Sequence, residues 1–266
     1  MISQFWSISD IRTLLLGAGT NIFREEGRSL PIFSDKHLSW NWELAQEMVA
    51  TSKELSFPFM GGSGLSVTWR MPSVDLPYGA AVEESLILGG GWPDGGSFHM
   101  IEFTQTLLER RKGGETGVAW VEALKGEEVF EALEKGSFAL GGFDDELFET
   151  ALCRSHSIAQ ARPGYSARYP TTEELRKMWS PTVCFRWQYT DGTCATMLFG
   201  NGLVGDYPFA AKLASGEIFS TLCHLPAGSN VGYSAMLMHC AQTMFVTGKE
   251  VFPIERTLVA TGVVRA

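Results

Sequence analysis

The sequence predicts an α+β protein: a short βαβ unit, then an open, mostly antiparallel sheet that helices cover on one face. Three observations support this prediction. Leu30–Phe33, an apolar run, is followed by a segment with helical spacing and then by a second apolar run. Residues 182–224 alternate apolar and polar side chains, as half-buried antiparallel strands do. Two apolar segments with helical spacing, 233–247 and 253–264, close the chain.

The composition is that of a globular protein without a basic surface. Of the 266 residues, 45% are hydrophobic and 19% are charged, and the formal net charge is -9 at pH 7. Arg110–Lys112, the one dense basic group, closes a predicted helix, where cations complement the helix dipole. Nucleic acid is therefore not an expected partner, because phosphate binding needs clustered cations. No apolar run approaches the ~18 residues of a membrane span, and no signal-peptide pattern is present, so we expect a cytoplasmic protein.

The five cysteines include no CxxC pair. Asp191-Gly192 predicts a tight hairpin turn that sets Cys194 opposite Tyr189 rather than opposite Cys184. We therefore expect reduced thiols, as in a cytoplasmic protein. The histidines have none of the spacings of metal sites, so no metal is expected.

Residues 1–28 contain an incomplete dinucleotide-binding pattern. Ile11–Leu16 and Gly17-Ala18-Gly19 begin like the fingerprint, but Ile22 stands where the third glycine is required. Only about ten residues separate Gly19 from the next strand, whereas the fingerprint needs a βαβ unit of ~30 residues. We interpret this segment as an apolar stretch with a flexible turn and expect no cofactor there.

The elements that follow are predicted from periodicity and turn residues. Ser39 is the expected N-cap of the first helix. The βαβ unit consists of strand 30–34, helix 40–55 and strand 57–61. The later elements are predicted as strands 65–69, 82–88, 118–124, 183–189, 193–199, 204–212 and 217–224, and helices 97–112, 126–135 and 144–154 with a short one from Thr172.

Lys36, His99 and Glu102 are the candidate catalytic residues. Lys36 follows the first strand, at the end where open α/β sheets bind ligands. His99 falls in the first turn of a helix, after a glycine-rich loop, and Glu102 lies on the same helix face. The helix dipole lowers the pKa of His99 and Glu102 raises it, so we expect a general base that titrates near neutrality. The same residues also fit a solvated loop lysine and a helix-capping pair.

Two short patterns in this order resemble signatures of the Gfo/Idh/MocA oxidoreductase family. In that family an acidic residue, a lysine and usually a proline follow a Rossmann strand, as Asp35–His37 do here. The family's second signature is GGG, then Asp-x-Gly-x-His, with an acid three residues later, and Gly89–Gly91, His99 and Glu102 match it. Phe245-x-Thr-Gly-Lys and the helix containing Glu255-Arg256-Thr257 are also similar. The departures are His37 for the proline, Gly95 for the aspartate, with Asp94 one position out of register, and Ser97 for the glycine.

The resemblance implies oxidation of a sugar or polyol hydroxyl by hydride transfer to NAD(P). Lys36 would hydrogen-bond the hydroxyl and favour its alkoxide, and His99 would take the proton. The half of the Rossmann domain that holds the pyrophosphate does not fit into residues 1–28. We therefore expect residues 1–70 to be the remnant of a dinucleotide-binding domain and residues 71–266 to be the sheet domain. No bound NAD(P) and no dehydrogenase activity are expected unless the missing half is supplied elsewhere.

Two other functions stay open at this stage. The chain could bind a small molecule, a carbohydrate or a flat aromatic ligand, in a cleft lined by Trp69, Arg70, Trp92, Asp94 and Tyr165. Core packing is the competing interpretation of Trp69. A hydrolase or lyase that uses Lys36 and His99 without a cofactor is the third function. A homo-oligomer through the sheet face is also expected, because a large antiparallel sheet needs its second face covered.

Overall fold

Two sheets of unequal size organise the chain. The structure is a computed structural model that describes residues 17, 20–27, 30–91, 93–157, 170–179, 183–226 and 231–265, without the side chains of Asp94 and Val231. The strands are β1 (Ile32–Asp35), β2 (Phe59–Gly62), β3 (Trp69–Met71), β4 (Val82–Gly89), β5 (Val118–Lys125), β6 (Val183–Tyr189), β7 (Cys194–Phe199), β8 (Tyr207–Leu213) and β9 (Ile218–His224).

The α-helices lie close to the predicted positions. They are α1 (Trp42–Glu54), α2 (Pro93–Leu108), α3 (Glu127–Lys135), α4 (Asp145–Arg154), α5 (Thr172–Met178), α6 (Val231–Thr247) and α7 (Glu255–Arg265). Residues 20–26 are also helical, and short 3₁₀ helices span Gly64–Val67 and Phe138–Leu140. Among the described residues, every helix is too short or too polar to cross a bilayer.

The predicted βαβ unit is confirmed as a small parallel sheet. β1 and β2 pair in parallel, from Ile32 opposite Phe59 to Asp35 opposite Gly62, with α1 between them in the chain. The N-cap prediction is wrong, because Asn41, not Ser39, accepts the hydrogen bond from Leu44 N at 2.8 Å. α1 begins later than expected because Ser39 instead accepts a hydrogen bond from Asn41 N.

The large sheet is mostly antiparallel but is not the continuous meander that its sequence suggests. Its strand order is β3-β9-β8-β4-β7-β6-β5, and the β4–β7 pair is parallel. β4 therefore separates two hairpins, β6–β7 and β8–β9. The connection between them passes the end of β4, where Gly200 N donates to Gly89 O at 2.7 Å. Local patterning identified both hairpins, but it carries no information about a strand inserted from elsewhere.

Helices cover both faces of the large sheet, so the prediction of one covered face is wrong. On one face Ile87 packs with Phe98 and Phe103 of α2. On the other face Leu86 packs in a cluster with Phe148 of α4. β4 is buried on both sides because successive side chains point to opposite faces. The argument for an oligomer through an uncovered sheet face therefore fails, and the oligomeric state stays a prediction.

The closing helices join the two sheets. Leu237 and Met244 of α6 pack on Met60 of β2, and α7 contributes Ala260 to the core of the large sheet. β3 begins the large sheet at Trp69, next to the predicted boundary at residue 70. The predicted strand 65–69 is instead the 3₁₀ turn Gly64–Val67 followed by β3.

The β6–β7 hairpin differs from its prediction by one residue. Tyr189 N donates to Thr193 O, and Cys194 lies opposite Gln188 rather than Tyr189. The loop has three residues because Gly192 N bonds back to Tyr189 O and Gly192 adopts a φ of 91°. This is a type I turn with a glycine bulge, rather than a two-residue turn. Cys184 lies opposite Leu198, so the two cysteines do not face each other.

Candidate functional site

Lys36 lies at the carboxyl end of β1 in a strained conformation. Its φ is 74°, which side-chain-bearing residues rarely adopt, and its N–H donates to Gly62 O at 2.8 Å. The ammonium group lies 2.8 Å from Asp35 Oδ1, and the side chain is 40% exposed. Such strain is kept where the surroundings impose it, often at functional sites. The backbone bond to β2 therefore fixes Lys36 at the edge of the small sheet.

The glycine-rich loop after β4 is held by packing. A Cβ at Gly89 would lie 2.3 Å from Met100 Sδ and 2.6 Å from Tyr207 Cδ1. Gly91 has a φ of 131° and forms two hydrogen bonds with the Asn201 amide, both 2.8 Å. In the structure, Gly89 allows α2 and β8 to approach β4 closely.

His99 lies in the second turn of α2, not the first. The helix begins at Pro93, whose fixed φ suits the first helical position. The two glycines that follow are helical, and a Cβ at Gly96 would lie 2.9 Å from the Phe199 ring. The dipole effect falls off within the first turn, so it contributes less to the pKa of His99 than expected.

The structure places Lys36 near enough to His99 for its charge to affect the pKa of the ring. Burial, the larger cause, and the nearby Lys36 ammonium together lower the pKa of His99 to about 4, and Asp35 partly opposes the shift. The prediction of a histidine that titrates near neutrality is therefore wrong for the unliganded protein. The His99 ring is neutral at pH 7, and its buried Nδ1 has no hydrogen-bond partner among the described residues. A neutral imidazole beside an ammonium group can accept a proton from a bound hydroxyl.

Glu102 does not pair with His99 as the sequence suggests. Its carboxylate is fully buried and accepts hydrogen bonds from Ser63 N at 2.7 Å and from Thr257 Oγ1 at 3.2 Å. Burial raises the pKa of Glu102 to about 7. The side chain thus connects α2 to the end of β2 and to α7, and it acts on the site by positioning α2.

The predicted ligand-binding residues fall into three groups. Trp69 is 51% exposed, so the core-packing interpretation of it is wrong. Arg70 is bound on all sides: Nε to Asp75 Oδ1, Nη1 to Thr68 O and Nη2 to Ser66 O. It therefore braces the 3₁₀ turn. Trp92, Tyr165 and the side chain of Asp94 lie outside the described residues, so their assignment to the cleft stays a prediction.

Sequence reasoning did not assign site roles to His37 and Asn201. The His37 and Phe98 ring centroids lie 6.0 Å apart, and Phe98 contacts the His99 ring at the same distance. Asn201 holds the glycine loop from 110 residues away. The sequence around Asn201, Gly-Asn-Gly, indicated a turn but not its distant partner. Across the described residues, no cluster of three His, Cys, Asp or Glu side chains could hold a metal ion.

Lys36→Met is expected to raise the pKa of His99 without returning it to the usual value of a free histidine. Removing the ammonium group removes one of the two effects that lower this pKa, and the burial remains. NMR titration of the His99 ring would measure the change. Lys53→Met, which removes an exposed lysine paired with Glu255, is the matched control and should leave this titration unchanged. An equal titration in the wild type and Lys36→Met would show that the two groups are not coupled.

The described residues of the small sheet do not fit a dinucleotide pyrophosphate. Such a site needs a glycine-rich turn from a parallel strand into the N-terminus of a helix, with free N–H groups. β1 leads into Asp35–His37, which has no glycine. β2 leads into glycines, but they open a 3₁₀ turn, and Ser63 N already bonds the Glu102 carboxylate. That carboxylate would also repel a phosphate.

The small parallel sheet and the helix-covered sheet together give a fold similar to that of solved oxidoreductases, as the resemblance of the sequence predicts. No family model and no curated protein matches the sequence. Among solved structures, the chain is similar to GenD2 from gentamicin A biosynthesis in complex with NAD, with a TM-score of 0.54 and 10% identity over 97% of this chain and 71% of that one.

Two further solved structures share this fold. One is biliverdin reductase from Synechocystis sp. PCC 6803 in complex with biliverdin and NADP+, with a TM-score of 0.51 and 12% identity over 97% of this chain and 75% of that one. The other is a putative myo-inositol dehydrogenase from Sinorhizobium meliloti 1021, with a TM-score of 0.53 and 13% identity over 98% of this chain and 75% of that one. At such identities the likeness concerns the fold alone, and the chain spans about three quarters of these structures.

Proposed function

We propose that the chain is an oxidoreductase-like protein that binds a small hydroxylated molecule, a sugar or polyol, at Lys36 and His99. We further propose that the chain by itself does not act as an NAD(P)-dependent dehydrogenase. The observation that carries the proposal is the largely buried His99 ring, whose Nδ1 has no hydrogen-bond partner among the described residues and whose pKa is lowered by the nearby Lys36 ammonium. The oxidoreductase fold, and the kinds of protein whose solved structures are similar, support a sugar or polyol as the ligand.

The two side chains have complementary tasks in this proposal. The Lys36 ammonium donates a hydrogen bond to the ligand oxygen and favours its alkoxide, and His99 accepts the hydroxyl proton. Protonating His99 beside Lys36 is unfavourable in the free protein, as its lowered pKa indicates. Transfer of the hydroxyl proton leaves a negative charge on the ligand oxygen, and this charge offsets the repulsion between Lys36 and the protonated His99.

Oxidation of the hydroxyl would need a hydride acceptor in addition. The described residues of the small sheet do not fit the pyrophosphate of NAD(P), because in the glycine-rich turn after β2 the N–H of Ser63 already bonds the Glu102 carboxylate. The N–H of Gly91, in the other glycine-rich loop, is bound by Asn201. The described residues therefore support binding and polarisation of a hydroxyl, and we assign them no hydride step.

Thermal-shift and calorimetric titrations against myo-inositol, glucose and related polyols test the binding site. We expect at least one ligand to raise the melting temperature, and Lys36→Met to weaken its binding about 10-fold or more, as for loss of a charge-assisted hydrogen bond. Lys53→Met should bind normally, because this lysine lies 2.5 Å from Glu255 and outside the site.

The second half of the proposal is tested by nicotinamide absorbance with the same ligands. We expect no change with NAD(P) or NAD(P)H. Turnover that Lys36→Met abolishes would show a dehydrogenase and contradict this half, while leaving the site assignment intact. No ligand response anywhere in the panel, or equal binding by Lys36→Met, would contradict the site assignment itself.

A further inference from the structure

Helix α6 is apolar on both its faces. Its inner face, with Leu237, Ala241 and Met244, packs on Met60 of β2 and on Phe252. Its 17 residues, VGYSAMLMHCAQTMFVT, include no Asp, Glu, Lys or Arg. A surface helix in water carries charged or polar side chains on its outer face, and one that is apolar all round is buried. The sequence of α6 therefore calls for a partner on its outer side.

The outer face forms a continuous exposed stripe. We define the outer stripe as Ala235, Met238, His239, Gln242, Phe245 and Val246, all exposed in the structure. Met238 is 50% exposed, Phe245 53% and Val246 78%. These positions repeat at intervals of three and four residues, the spacing with which one helix packs against another.

We propose that the outer stripe is the surface on which two copies of this chain dimerise, with their α6 helices packed antiparallel across a two-fold axis. This proposal does not depend on the proposed function. It also assigns the dimer to a surface other than the sheet face, which the chain's own helices already cover.

The order of residues along the stripe favours a second copy over an unrelated partner. In an antiparallel pair centred between residues 240 and 241, Ala235 lies opposite Val246 of the other copy, so a small side chain meets a larger one. His239 lies opposite Gln242, and the two can share a hydrogen bond. Met238 and Phe245 fall on the same flank about two residues apart, close enough for a sulfur–aromatic contact.

The absence of charge makes the same surface compatible with itself. In a two-fold interface each residue type is presented by both copies, so a charged stripe would bring like charges together. Here no such repulsion arises, and no charge has to be desolvated. The helix is about 25 Å long, and one helix pair gives an interface at the small end of the specific range, so we expect micromolar dissociation.

Sedimentation velocity over a range of protein concentrations tests the dimer. We expect the wild type to be dimeric at tens of micromolar, and Met238→Glu and Phe245→Lys each to raise the dissociation constant about 30-fold or more. Both positions are exposed, so folding should be kept, and circular dichroism checks it. Leu140→Glu, at a 69% exposed leucine outside α6, is the charge-matched control and should leave the dimer intact.

Mixing the two variants tests the antiparallel register. In a mixed dimer of M238E and F245K the introduced charges are opposite and adjacent at one contact, while the other contact is native. We expect the equimolar mixture to dimerise about 10-fold more tightly than either variant alone. A monomeric wild type would overturn the proposal, as would a dimer that neither variant weakens. Variants that weaken the dimer without rescue on mixing would overturn the register.

Discussion

Gly62→Ala is expected to lower the free energy of unfolding by about 4 kcal/mol or more, or to prevent folding. Two effects combine at this position. Gly62 has a φ of 122°, which costs a side-chain-bearing residue roughly 1–3 kcal/mol. A Cβ there would also lie 2.0 Å from Glu102 Oε1, a contact that requires the buried carboxylate to leave its hydrogen bonds with Ser63 and Thr257. Because Gly62 O also accepts the N–H of Lys36, the damage should reach the site.

Gly91→Ala is the matched control for the backbone effect. Gly91 has a similar φ of 131°, but a Cβ there meets no atom within 4 Å. We expect it to cost roughly the strain alone, about 1–2 kcal/mol. Urea unfolding of both variants measures the difference. A double-mutant cycle with Glu102→Ala should show a favourable coupling, because the clash partner is then gone. Equal losses for the two glycine variants would show that Glu102 does not constrain Gly62.

Glu102→Gln is expected to stabilise the chain at pH 8 and to change its stability little at pH 5. Burial raises the pKa of Glu102 to about 7 in the folded state, above its usual value of 4.5. Between these two values the folded state holds a proton that the unfolded state has lost, so stability falls as pH rises. At 1.36 kcal/mol per pKa unit, the wild type loses about 3 kcal/mol of unfolding free energy by pH 8 through this carboxyl group. Glutamine carries no charge to desolvate.

The amide can replace both hydrogen bonds of the carboxylate. Its oxygen can accept from Ser63 N, and its NH₂ group can donate to Thr257 Oγ1. The quantity to measure is the difference in unfolding free energy between variant and wild type from pH 5 to 8. This difference removes the contributions of Glu84, whose pKa is also raised to about 7, and of His99, whose lowered pKa gives stability the opposite slope. A uniform loss at every pH would show that the ionised carboxylate is the stabilising form.

The sequence identified the residues of the site, but not the pKa of His99 or the hydrogen-bond partners of Glu102. Lys36 and His99 were identified from a strand end and a glycine-rich loop, which are local features. The partner of Glu102 was predicted wrongly because spacing along a helix gives the face but not what packs against it. In the fold, Ser63 and Thr257 donate hydrogen bonds to that carboxylate. Burial, reinforced by the Lys36 charge, keeps the His99 ring neutral.

The sequence alone determined most of the secondary structure, because apolar periodicity and turn residues act over a few neighbours. The oxidoreductase-type fold followed from the resemblance of two short motifs to a known family. Only the tertiary structure decided which strands are adjacent. It inserted β4 between the two hairpins and covered both sheet faces with helices. It also left the outer side of α6 exposed. These features depend on contacts between residues far apart in the chain, and such contacts form only when whole elements pack together.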